Sequence, residues 1–88
     1  MPHSPEDKKR AITRLRRIKG QAEALERAVD AGSDCAPILQ QLAAMRGAVH
    51  GLMADLLDGH VREVLSEKPA PSQPAVDETL ALLRSYLK

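Results

Sequence analysis

From Ile12 onward the apolar residues recur in steps of three and four, through Leu15, Ile18, Ala22, Leu25 and Val29. That spacing lays them along one face of a helix. The segment Ser4-Pro5-Glu6-Asp7 just ahead of it reads as a helix start. Ser4 can cap, Pro5 suits the first helical position, and the two acids favour the positive end of the helix dipole. Ala31-Gly32 reads as the stop. A second pattern runs through Ile38, Leu42, Met45, Val49, Leu52 and Leu56, widened by Leu39, Met53, Leu57 and Val64. Ser33 or Asp34 can cap it, Pro37 falls in its first turn, and no proline interrupts residues 38–68. The helix predicted there is about 45 Å long. Gly47, Gly51 and Gly59 each weaken it by up to about 1 kcal/mol relative to Ala, or let a partner helix come close. Residues 67–74 hold three prolines and form a linker. A short third helix follows, with Val76, Leu80, Leu83 and Leu87 on one face and Asp77 and Glu78 near its start. The predicted organisation is a single domain, 1–88, with helices at about 5–30, 35–66 and 75–87.

Composition sharpens this into an all-α fold. The 88 residues include no Trp, no Phe and one Tyr, so the core must be Leu, Ile, Val, Met and Ala, which suits helix-on-helix packing. A chain this short often needs a partner to complete its core. Two helices of unequal length and a short third cannot cover the stripe on the second. That helix is therefore expected to pair with its counterpart in another subunit, as an antiparallel four-helix-bundle dimer.

The net charge of +1 conceals an asymmetry. Residues 1–20 carry seven basic and two acidic side chains, net +5, and the remainder carries six basic and ten acidic ones, net −4. Arg10, Arg14 and Arg17 share a helix face beside the apolar one. A basic patch on a nearly neutral chain points to an anionic partner more specifically than overall basicity does; the plainer alternative is a solvated helix face. There is no secretory signal and no apolar stretch long enough to span a bilayer, and the chain has a single cysteine, so the expected location is cytoplasmic, without membrane contact. One cysteine also excludes an internal disulfide and the paired cysteines of a structural zinc site.

Two nucleophiles stand out. Cys35 lies two residues before Pro37, at the start of the second helix. A thiol there gains reactivity, because the thiolate is the attacking species, although a lone cysteine is more often a small buried hydrophobe. The other is at Met1-Pro2-His3. Removal of Met1 leaves Pro2 as a free secondary amine, and an amine with a thiol can trap a small electrophile. His60 lies 25 residues beyond Cys35 on the same rod, about 37 Å away, so the two meet only between antiparallel subunits. His3 can approach such a site with Pro2. His50, mid-helix, has no assigned role. No orienting group or oxyanion site accompanies the thiol, so an enzyme is not expected.

The segments MPHSPEDKKR, TRLRRIKGQ (13–21) and CAPILQQLAAMRGAVHGLM (35–53), with His60 and the ending LLRSYLK, resemble the CsoR/RcnR/FrmR family of bacterial helical repressors. The likeness covers nearly the whole chain apart from the proline-rich linker. The resemblance implies a dimer of three-helix subunits that pairs into a homotetramer. It implies binding of operator DNA without a helix-turn-helix, through Arg14 and Arg17, with Arg10 and Lys88 as weaker candidates. The Pro2/Cys35 pair resembles the formaldehyde-responsive branch, in which a methylene bridge between Pro2 of one subunit and Cys35 of another releases the DNA. No cofactor is implied. The nearest alternative is a metal-responsive repressor of the same family, with Cys35, His60 and His3 as ligands for nickel, cobalt or zinc. The cobalt and nickel sensors carry a further His, and the copper sensors a Cys, at the position of Val64, which cannot coordinate. Persulfide sensing needs a second cysteine, which is absent. A helical adaptor that binds only protein is the remaining reading.

Overall fold

The structure is a computed structural model that describes residues 4–86. Pro2, His3 and Lys88 lie outside the described residues, as does Leu87. Helix α1 spans Pro5–Asp30. Its N-cap is Ser4, whose side-chain oxygen accepts the Asp7 backbone N–H at 3.1 Å. At its other end Gly32 takes a left-handed φ of 74°. The Gly32 N–H then reaches the Val29 carbonyl at 3.1 Å, and the Ser33 N–H reaches that of Ala28 at 3.0 Å. This pair of bonds satisfies two of the helix's last carbonyls and turns the chain sharply into the next helix. Gly32→Ala is expected to destabilise the protein by about 1 kcal/mol, read as a lower midpoint in thermal or urea unfolding, because an L side chain in that region is strained. An unchanged midpoint would show that the turn can be made with a different backbone.

Helix α2 runs Cys35–Leu65, 31 residues unbroken through Gly47, Gly51 and Gly59. Asp34 holds the N-cap position with extended backbone, but its side chain makes no capping bond. Helix α3 spans Gln73–Tyr86. It starts two residues earlier than the prolines suggest. The Ser72 hydroxyl accepts the Ala75 N–H at 3.3 Å, and Pro74 falls in the first turn, where its missing N–H costs nothing. Pro69 and Pro71 break the chain; Pro74 opens the next helix.

Among the described residues, α1 and α3 each pack on α2 and not on each other. The result is an open slab of 57 × 30 × 14 Å, little more than one helix thick. Its radius of gyration is 17.1 Å, whereas a compact domain of this length has about 12 Å. Among the described residues, only Leu25, Leu52 and Val64 are buried hydrophobics. Of the apolar residues along α1, Leu25 and half-buried Ile18 are covered, but Ile12, Leu15 and Val29 are exposed, as are Leu39, Leu42, Val49 and Met53 on α2. The accessible surface is 6873 Å², against about 5,100 Å² for a folded monomer of this mass. The surplus is the scale that one partner contributes to an obligate interface.

Candidate nucleic-acid interface and effector positions

Several basic residues of α1 gather beside α2. Lys9, Arg10, Arg14 and Arg17, with Glu6 and Thr13 among them, line an open groove of about 560 Å³ whose far wall is Ala48 of α2. The three arginines singled out from the sequence are thus brought together. Lys9 and Thr13 join them without having been singled out, although Lys9, Thr13 and Arg17 follow at four-residue steps and share one side of a helix. The Thr13 hydroxyl is occupied in part, donating to the Lys9 carbonyl at 2.9 Å.

The four cations are not equivalent. Arg10 Nη2 lies 2.6 Å from Asp7 Oδ1. That hydrogen bond first, and the one from Ser4 second, hold the Asp7 carboxyl below its ordinary value. A carboxyl depressed by folding adds stability at pH above its ordinary range, and this is lost as pH falls through the lowered value. The Asp7 side chain is about half exposed, so the effect is local to the first turn of α1. Arg14 leaves its own helix: its Nε lies 3.1 Å from Asp55 Oδ2 on α2. The guanidinium rests over Gly51, where an added Cβ would come within 2.8 Å of Nη1. Arg17 has no ion pair among the described residues.

Cys35 is the first residue of α2, a free and exposed thiol. His60 lies near the other end of the same helix, half-buried against α3. Its Nε2 is 3.4 Å from Thr79 Oγ1. The Thr79 hydroxyl also donates to the Ala75 carbonyl at 2.9 Å. Val64, one turn beyond His60, is buried. His50 meets the Tyr86 ring edge to face, with centroids 6.4 Å apart. One subunit therefore keeps Cys35 and His60 at opposite ends of α2, about 37 Å apart.

This three-helix architecture with a basic α1 has known counterparts. Residues 7–85 match the description of a family of metal-sensitive transcriptional repressors. The chain belongs to that family. Its members are regulators rather than enzymes. The chain is 52% identical, over its full length and that of the relative, to an uncharacterized Serratia marcescens protein encoded in the bioA 5′ region. It is 40% identical, again with both chains covered completely, to the transcriptional repressor RcnR of Salmonella paratyphi B. It matches the structure of a histidine-for-glutamate variant of the formaldehyde-responsive regulator FrmR from Salmonella enterica serovar Typhimurium. That match has a TM-score of 0.86 and 49% identity, over 97% of this chain and 99% of the other. Among the described residues, no helix is long and apolar enough to cross a membrane.

Membership raises the question of a metal. The described residues of one subunit do not fit one: they contain no group of three or more His, Cys, Asp or Glu side chains placed to share an ion. Cys35 and His60 could act together only across subunits, and Val64 offers an apolar side chain in place of a donor.

Proposed function

We propose that this repressor senses formaldehyde. Operator DNA lies along the basic groove of α1, with Arg14 and Arg17 as its principal contacts and with Arg10 and Lys88 as weaker candidates. The DNA is released when Pro2 of one subunit and Cys35 of another are joined. The observation that carries the reading is the placement of Cys35: exposed, at the N-terminus of α2, in a chain 49% identical to a formaldehyde-responsive regulator. The protein-only adaptor gives way to family membership.

The assembly follows from the register of α2. Cys35, Leu42, Val49 and Leu56 recur every seven residues, the spacing of a helix–helix seam. Leu42 and Val49 are exposed in the isolated subunit. An antiparallel second α2 covers them and brings the Cys35 end of one helix against the His60 end of the other. Two such dimers form the tetramer.

The chemistry balances with the groups at hand. The Pro2 amine adds to formaldehyde to give a carbinolamine, which takes up a proton and loses water to leave an iminium ion. The Cys35 thiolate, having given up its proton, adds to the iminium carbon. The product is an N–CH2–S bridge and one water. Holding both nucleophiles together makes the second step unimolecular. A larger aldehyde would have to fit its substituent into the bridge. The link favours the arrangement of subunits that presents the basic grooves out of register with DNA, and it acts by distinguishing the two states in free energy.

The 40% identity to RcnR and the family's description favour a second reading, in which Cys35, His60 and His3 bind nickel, cobalt or zinc. One titration separates the two. Operator-bound protein is exposed to formaldehyde, nickel, cobalt, zinc and copper(I) in parallel, and intact mass is recorded. Formaldehyde alone is expected to release the DNA, with a mass gain of one carbon atom for each bridge, mapped to the Pro2 and Cys35 peptides. Release by a metal at lower concentration, with no mass gain, would establish the rival.

A further inference from the structure

We propose that Asp55 is a positioning residue for DNA binding: it holds Arg14 on the α1–α2 seam and competes with a DNA phosphate for the guanidinium. The inference rests on the proposed reading of the α1 groove as the DNA face.

The seat is built from two residues one turn apart on α2. Asp55 supplies the charge, with Oδ2 at 3.1 Å from Arg14 Nε. Gly51 supplies the room, since any Cβ there would meet Nη1 at 2.8 Å. Ala48, three residues before Gly51, continues the same side of α2 as the far wall of the basic groove. The guanidinium is thus drawn towards α2, at the floor of the groove, with one of its edges committed to a carboxylate.

The strength of this ion pair suits exchange. Both side chains remain about half exposed, at 43% and 49%. An ion pair that wet is weak, and a phosphate oxygen can replace the carboxylate at little cost. While the carboxylate stays, Arg14 joins Arg10 as a second of the groove's four cations paired with an acid. The bond also crosses between helices, so a shift of α2 against α1 changes how much of Arg14 the groove can offer. An ion pair serving only to brace the fold would act in the opposite direction on removal, weakening the groove and the DNA affinity with it.

The test uses the full chain and a fluorescent mixed-sequence DNA duplex, because phosphate binding is independent of sequence. Arg14→Ala is expected to weaken binding and to flatten the plot of log K against log salt by about 0.9 for each phosphate left unneutralised. Asp55→Asn, nearly the same shape without the charge, is expected to tighten binding by about 1.4- to five-fold, the range that an exposed ion pair's typical worth converts to. Gly51→Ala, which unseats Nη1 without altering charge, is expected to tighten binding in the same direction but less. In the Arg14→Ala background the effect of Asp55→Asn must vanish. Weaker or unchanged binding by Asp55→Asn overturns the proposal and leaves the DNA reading standing. An undiminished gain without Arg14 also overturns it, as a general effect of removing negative charge. If Arg14→Ala alone changes neither affinity nor salt slope, the DNA reading of Arg14 fails, and this proposal fails with it.

Discussion

Cys35→Ala is expected to bind operator DNA as the unaltered protein does, but to stay bound at formaldehyde concentrations that release the latter completely. The residue is exposed and stands at the first position of α2, so truncating its side chain removes no packing. Alanine is the best helix former, which leaves the helix intact. The basic groove of α1 lies on other residues and is untouched. In the proposed mechanism, the variant loses the second bond. Without the thiolate, the iminium on Pro2 returns to amine and formaldehyde by hydrolysis, and nothing joins the subunits. The benefit of holding two reactants together reaches about 7–11 kcal/mol in favourable intramolecular reactions, while a typical allosteric coupling is only about 1–3 kcal/mol. Removal of the bridge should therefore abolish the response outright. Gel-shift or anisotropy titration reads the release, and intact mass reads the adduct. Release of the variant at the same dose, or a bridge that forms without Cys35, would remove the thiol from the switch.

The second large effect concerns assembly. Leu42→Asp combined with Val49→Asp is expected to dissociate the oligomer and unfold the subunit. Both positions are open in the single chain, so a fold complete within one subunit would accept two aspartates there with little change. The subunit is not complete in that sense. Among the described residues it buries three hydrophobic ones, and its thickness is 14 Å. If a second α2 covers this face, each aspartate is forced into an apolar seam without a partner, which costs several kcal/mol, on the order of a small domain's whole stability. Light scattering should show the loss of the assembled mass, and circular dichroism the loss of helix at the same protein concentration. An assembly of unchanged mass with full helical signal would place the interface on another face.

The three helices are legible in the sequence because their signals are local. Ser4-Pro5 starts α1, Gly32 ends it by taking a positive φ, and the prolines after Lys68 stop α2. The grouping of Arg10, Arg14 and Arg17 is legible for the same reason: their spacing alone puts them on one side of a helix. The start of α3 is not, because a proline reads as a break from either direction, and only the Ser72 cap shows that Pro74 belongs to the first turn. Kinship to a repressor family is also legible, through motifs covering most of the chain.

What a period of 3.6 residues cannot specify is how one helix is rotated against the next. Tertiary packing decided that Leu25 turns inward while Ile12, Leu15 and Val29 face out. It decided that Arg14 meets Asp55, which lies forty-one residues further along the chain. It likewise set the His60 ring against Thr79 of another helix. Helix, cap and turn depend on residues a few positions apart. The environment of a charge or an imidazole depends on surfaces that come together only when the helices dock.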